Sequence, residues 1–416
     1  MVQEKSIHNR ENGHRSQIFL FLLLFFAATL NLDFYLIFMG LDKTYQFIQI
    51  AFYGLFSFIC IFNILLFLTK KKRQFLKVFP YWGILTLIIT LKFIILFIQS
   101  PSWFLPEGKF FNQFITFTVN IVIMILLSKK INNQKDLRAS IWGLGLGGSL
   151  SAIIPLVFFP EMIGSRSLYL NGYFFNGSFW NSSVISYISV GWLLIALSIY
   201  TRSKMKKIVL VTLFALMILG GLAGLSRAML ISIVLSTAIY LLASKLFIKY
   251  IKTFMIALIA LIVLIIFFPN VTENFEHRLG GGIDIENEDR VKIWKDYLED
   301  LPDYILLGEL KGDYKKYSVT GAGPHSALLN WLTQFGIIAL IGFFVLIYGL
   351  FVSIKRIYLN LSPQVGAALF GWLVSYLSIV LINETGFNNL TIYCAIGIIL
   401  GWGNSLKGQK VKEEPS

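Results

Sequence analysis

The sequence predicts an all-α, polytopic membrane protein of about twelve spans, and three observations predict it. First, the 416 residues are 56% hydrophobic and only 14% charged, with a mean hydropathy of +0.72. Soluble domains carry about 25% charged residues. Second, the apolar residues fall in repeated runs long enough to cross a bilayer, which takes roughly 20 residues each. Third, the basic residues behind the net charge of +14 cluster between runs, on alternate sides. On a soluble protein that charge would point to nucleic acid; here it reports topology, and no nucleic-acid partner is expected. Cys60 and Cys394 both sit inside apolar runs and read as small buried hydrophobes rather than a disulfide or metal pair. No CxxC, HExxH or Walker-type loop is present.

Each span follows from its own apolar run. A polar, basic start holding Lys5, Arg10 and Arg15 precedes the run 17–39, which is too long for a cleaved signal peptide and reads as a retained helix. Spans two to six are 45–69, 79–99, 110–128, 139–159 and 182–200. Spans seven and eight, 208–225 and 227–243, are joined by almost no loop, and span nine is 253–268. Spans ten to twelve are 326–351, 365–382 and 390–405. An even number of spans puts both termini on one side. Clusters such as Lys70-Lys71-Lys72-Arg73 and Lys204, Lys206, Lys207 mark that side as cytoplasmic. With the loop 269–325 set aside, the outer segments hold only Lys43, Lys109, Arg166 and Arg227. The chain therefore reads as a single integral domain, 1–416, of the cytoplasmic membrane. Residues 269–325 are inserted in it as one long extracytoplasmic loop between spans nine and ten.

Charges that topology does not require are the functional candidates, because a charge in hydrocarbon costs about 2.5–3.5 kcal/mol on insertion scales. Lys92 lies within span three and reads either as a ligand-binding group or as a snorkelling or packing lysine. Arg227 stands at the outer turn between spans seven and eight, with Ser226 placed to cap span eight. A cation there opposes the helix dipole, so an anion bound by Arg227 and the free N–H groups would compensate it. The competing reading is an interfacial arginine touching lipid phosphate.

In the long loop, 287–300 reads as a helix, with Glu288 and Asp289 in its first turn and Pro302 closing it. Val291, Trp294, Leu298 and Leu301 form its apolar stripe, with Trp294 as an anchor and Arg290 one position from that stripe. Gly321-Ala322-Gly323 then leads to Pro324 at the first helical position, which places His325 in the first turn of span ten. The dipole there keeps the imidazole neutral, as a general base requires; a hydrogen-bonded interfacial histidine is the plainer alternative. The loop before span six is rich in aromatics and Asn, which suits sugar faces and hydroxyls but also an aromatic belt. His277 and Arg278 are further candidates in a weaker context.

Taken as an ordered set, these segments resemble the O-antigen ligase and Wzy-type polysaccharide polymerase membrane proteins. The set is Arg166 with Phe179-Trp180-Asn181, the turn Ser226-Arg227-Ala228, the Arg290 to Trp294 helix, and His325-Ser326-Ala327-Leu328-Leu329 followed by Gly336. Ala228, Ser326 and Trp180 depart from the family's usual Gly, Asn and Pro, and its Gly-x-Gly is reduced to Gly308-Glu309. The resemblance covers 166–351 and implies a GT-C-like, metal-independent glycosyltransferase without a cofactor. Such an enzyme moves an oligosaccharide from undecaprenyl pyrophosphate to an acceptor hydroxyl outside the cytoplasmic membrane.

On that footing Arg166, Arg227 and Arg290 neutralise the leaving pyrophosphate, His325 acts on the attacking hydroxyl, and the anomeric centre inverts. Asn181, Ser226, Trp294, Lys92 and Glu384 are substrate-binding candidates. The expected partners are undecaprenyl-pyrophosphate-linked oligosaccharides, membrane lipid, a chain-length regulator and a flippase. A ligase acting on a lipid, protein or wall acceptor shares this apparatus. A polysaccharide flippase is the rival of a different class, expected to place its polar groups near mid-membrane.

Overall fold

The computed structural model describes residues 16–25, 27–28, 83, 86, 89–99, 111–131, 133–158, 167–170, 173–176, 190–223, 227–245, 289–309, 314–318, 323–324, 326–382 and 389–407. At some of these, Arg227 and Arg290 included, it describes the backbone course alone. Spans two and nine lie outside the described residues.

The described chain is helical with one short hairpin. The first helices are α1 (Ser16–Phe25), α2 (Ile89–Gln99), α3 (Phe111–Lys130) and α4 (Gln134–Phe158). The hairpin pairs β1 (Ser167–Leu170) with β2 (Tyr173–Asn176), antiparallel, Ser167 opposite Asn176 and Leu170 opposite Tyr173. It stands in the aromatic loop, where no strand was expected, around the residues Asn171-Gly172 that favour a two-residue hairpin turn. Next come α5 (Val190–Tyr200), α6 (Lys204–Ala223) and α7 (Arg227–Ala243). The long loop carries α8 (Asp289–Glu299), the single turn α9 (Leu301–Tyr304) and a 3-10 turn at Tyr314–Tyr317. The last helices are α10 (Ala327–Asn360), α11 (Pro363–Ile382) and α12 (Leu390–Ser405).

Helix starts follow local chemistry. Asn133 Oδ1 accepts from the backbone N–H of Lys135 (3.0 Å) and Asp136 (2.9 Å), and its amide donates to the Asp136 carboxylate at 2.6 Å, closing a cap on α4. Asn389 caps α12 in the same way through Thr391 N–H at 2.9 Å. Among the described residues two helices, α10 and Pro363–Leu381 of α11, are long and apolar enough to cross a membrane. Along α10 the exposed residues Ile338, Ile341, Phe344, Tyr348 and Phe351 recur at helical spacing, so an apolar stripe faces outward. A contiguous exposed apolar stripe marks a surface that meets a membrane or another protein.

Helix packing relies on small residues, which let backbones approach and share hydrogen bonds. In α4, Gly143 and Gly147 leave room for the Phe21 and Phe25 carbonyls of α1, and one further turn along Ser151 Oγ donates to Ala28 O at 2.9 Å. Between α7 and α11, the Ser232 and Ser375 hydroxyls meet at 2.6 Å, and Trp192 Nε1 of α5 donates to Ser236 Oγ at 2.9 Å. Gly397 of α12 lies against Met124 of α3. Cys394 is buried within α12.

One departure from the expected spans shapes the rest. Span ten, a continuous apolar run in the sequence, is broken at Gly336, whose backbone has φ 77° and ψ 178°. That region is open essentially to glycine alone.

Candidate functional site

The long loop docks on the first half of the broken helix. Ile293 and Tyr297 of α8, Tyr304 of α9 and Tyr317 form a buried cluster, and Leu301, Leu329 and Leu332 pack against it. This corrects the expected apolar stripe. Trp294 is only half-buried and Leu298 is 56% exposed, because the tyrosines supply the buried face one position away. Hydropathy discounts a tyrosine, yet its ring fills a core when its hydroxyl finds a partner. Here the Tyr304 hydroxyl donates to Tyr297 O. Pro302 does more than close α8, for it sits in the first turn of α9.

From α9 the chain runs as a strap, 305–309, into the break of α10. Ile337 N–H donates to Ile305 O at 2.7 Å, and Glu309 N–H donates to Thr333 O at 2.7 Å. The strap thereby satisfies backbone groups that the break removes from the helix, which apolar surroundings demand. Gly308 (φ 72°) and Gly336 (φ 77°) cross at this point. A Cβ on Gly336 would lie 2.2 Å from Leu306 O, and one on Gly308 would lie 2.5 Å from Gln334 O.

Two lysines flank the strap. Lys92 of α2, 5% exposed, donates from Nζ to Leu307 O at 2.9 Å and Glu309 O at 2.8 Å. Of the two readings of Lys92, this geometry supports the packing partner. The Glu309 carboxylate is buried, pairs with Lys316 Nζ at 2.7 Å and accepts from the Tyr317 hydroxyl. Glu309, Tyr317 and the break were not identified from the sequence. The Gly308-Glu309 pair was the available signal, and its partners are remote along the chain.

Burial first, then the hydrogen bond to Glu309, pushes the Tyr317 phenol up to about 12 from 10.0. The hydrogen bond to Glu309 holds Lys316 above the usual ammonium range. Both groups keep their protons longer folded than unfolded, so the stabilisation is complete below pH 10 and lost as pH rises towards 12. In an alkaline absorbance titration the wild type should show a phenol ionising near pH 12 that Tyr317→Phe lacks. Protease resistance of the segment 289–318 should decline in the same window. A Tyr317 that titrates at the ordinary value contradicts this account.

The expected site residues divide plainly. Arg227 is the first residue of α7, and Arg290 the second of α8. Trp294 Nε1, taken from sequence as a membrane anchor, instead donates to Pro324 O at 2.5 Å. Pro324 is not in the helix. With Ser326 extended at the cap position (φ −134°, ψ 127°), α10 starts at Ala327, so the helix begins two residues after His325 and not around it. Prolines favour the first turn, but here Ser326 is extended ahead of the helix, and the indole holds the Pro324 carbonyl there. Arg166, Asn181, Ser226, His325 and Glu384 lie outside the described residues, as do His277 and Arg278. No protein-family model and no curated protein sequence matches the chain.

Proposed function

We propose that the chain is a metal-independent glycosyltransferase of the cytoplasmic membrane, with twelve spans, both termini cytoplasmic and a GT-C-like arrangement. It polymerises oligosaccharide repeat units carried on undecaprenyl pyrophosphate into capsular, exopolysaccharide or O-antigen chains. The observation that carries the reading is the Trp294 to Pro324 hydrogen bond. It ties α8, one turn after Arg290, to Pro324, the residue that precedes His325 in the sequence, which supports a reading in which the loop arginine and the histidine act together.

In this reading Arg227, Arg290 and Arg166 neutralise charge developing on the pyrophosphate as its bond to the anomeric carbon breaks. His325 takes the proton of the attacking hydroxyl, and inversion follows from attack opposite the leaving group. Ligase-type transfer to a lipid, protein or wall acceptor uses the same groups and differs in acceptor alone.

One observation favours the flippase or transporter reading: α10 is discontinuous, and transporters hold substrates and ions at broken helices. The groups such a break offers to an ion, Ile337 N–H and Thr333 C=O, are here bonded to the chain's own strap. That occupation argues against an ion site at the break.

Arg227→Ala is the test. It should lower transfer about 10²–10³-fold, the scale of losing one stabilising donor at a developing negative charge. The readout is polysaccharide length in cells whose polymer depends on this protein, with its membrane abundance measured alongside. Wild-type chain lengths at normal abundance would contradict the proposal.

A further inference from the structure

We infer that Lys92 is a positioning residue: from α2 it clamps the strap 305–309 into the break of α10, and so holds the outer loop in its working register. The inference rests on the proposed function only in taking that loop as part of the transfer site; the clamp itself stands on geometry.

Five contacts define it. The Lys92 ammonium donates to the Leu307 and Glu309 carbonyls at 2.9 and 2.8 Å. Two residues of the strap are stitched across the break, Glu309 N–H to Thr333 O and Ile337 N–H to Ile305 O. The α2 neighbour Phe93 meets Phe335, the residue before Gly336, with ring centroids 6.2 Å apart. Lys92 therefore bonds the strap while the adjacent side chain of the same helix packs on the helix that the strap enters.

The chemistry explains why a lysine stands there. Leu91, Ile94 and Phe97 of α2 are exposed and apolar, as lipid-facing residues are. Within that helix a buried ammonium is tolerated when carbonyl acceptors surround it. The strap in turn presents irregular backbone packed against apolar helices, whose carbonyls need donors. Each side supplies what the other lacks. The Glu309 side chain is engaged separately with Lys316 and Tyr317, so the strap is gripped from α2 on its backbone and from the outer loop on its carboxylate.

What the clamp positions follows from connectivity. Upstream, the strap continues α9, which is joined to α8 and its Arg290 through the Tyr304–Tyr297 bond. Downstream, the strap sets the course of 327–335, the half-helix whose cap follows His325. A loosened strap frees both.

The test uses the full chain in its membrane, with Cys60 and Cys394 replaced by alanine and Thr333→Cys as a reporter. Thr333 is fully buried, and its carbonyl is bonded to the strap. Lys92→Met keeps the side-chain length and removes the donors; Lys92→Arg keeps a cationic donor. A membrane-impermeant maleimide should label the reporter about tenfold faster or more beside Lys92→Met, since hydrogen bonds to charged groups are the stronger kind. Lys92→Arg should restore protection, and polymer length should follow protection in each variant.

Equal labelling beside Lys92 and Lys92→Met overturns the clamp, as does an arginine variant that labels like methionine at normal abundance. Faster labelling with undiminished polymer overturns the positioning role and leaves the proposed function standing. Failure of that function would be read separately, from Arg227→Ala.

Discussion

His325→Ala is expected to abolish long-chain polysaccharide while the protein remains inserted at normal abundance. The expected loss in transfer rate is about 10²–10⁴-fold, the usual contribution of a positioned general acid or base. The expectation rests on its two neighbours. Pro324 is tied by its carbonyl to the Trp294 indole, and Ser326 occupies the cap position of α10. His325 lies between them in the sequence, and the proposed role asks its imidazole to take the proton of the attacking hydroxyl. His325→Gln sharpens the test, because glutamine can hydrogen-bond a hydroxyl but cannot take its proton at neutral pH. A base predicts that glutamine is as inactive as alanine; a ring that merely orients the acceptor predicts partial activity. Wild-type chain lengths in both variants, measured by gel profile of the extracted polymer, would remove His325 from the mechanism.

Gly336→Ala carries the second large effect. Holding alanine at φ 77° and ψ 178° costs on the order of 1–3 kcal/mol. Its Cβ would also stand 2.2 Å from Leu306 O, a distance that no rotamer change relieves because the obstacle is backbone. The competing conformation improves at the same time. In a continuous helix alanine is favoured over glycine by about 1 kcal/mol. The variant is therefore expected to expel the strap, straighten α10 and expose the outer loop to protease, with polysaccharide lost as a consequence. Gly308→Ala approaches the same crossing from the other side, with its Cβ 2.5 Å from Gln334 O and φ 72°. It should give the same digestion pattern. Unchanged digestion and thermal stability in both variants would contradict the role assigned to the crossing.

Much of the helical frame was legible where polarity changes abruptly. The bounds of α7 at Arg227–Ala243 and of α12 at Leu390–Ser405 coincide with the expected runs, since an arginine and a capping Asn389 punctuate them. Helix α10 runs to Asn360, nine residues past its expected end at 351, because amphipathic turns continue a helix after hydropathy falls. The break at Gly336 was hidden for a different reason. A glycine inside an apolar run keeps hydropathy high, and only the approach of 305–309 gives it a purpose. Likewise the buried face of α8 falls on Ile293 and Tyr297, which spacing alone cannot separate from the neighbouring stripe through Trp294. The β1–β2 hairpin was readable, since Asn171-Gly172 is a turn signal, but the aromatic residues around it suggested an interfacial loop. For the candidate site, the sequence supplied Arg290, Trp294 and His325 as residue types in order. It could not supply the Trp294 to Pro324 bond or the grip on Glu309, which join segments far apart in the chain.

The central claim is that Arg227, from the start of α7, and His325, from the approach to α10, share one cavity at the outer face with Arg290. Cross-linking tests it most directly, using Arg227→Cys with His325→Cys in a chain otherwise free of cysteine. A short, impermeant bis-maleimide added from outside should join the two positions within one molecule, and undecaprenyl pyrophosphate should slow the reaction. Labelling of the two cysteines from opposite sides of the membrane, or from the same side with no intramolecular product, would contradict it.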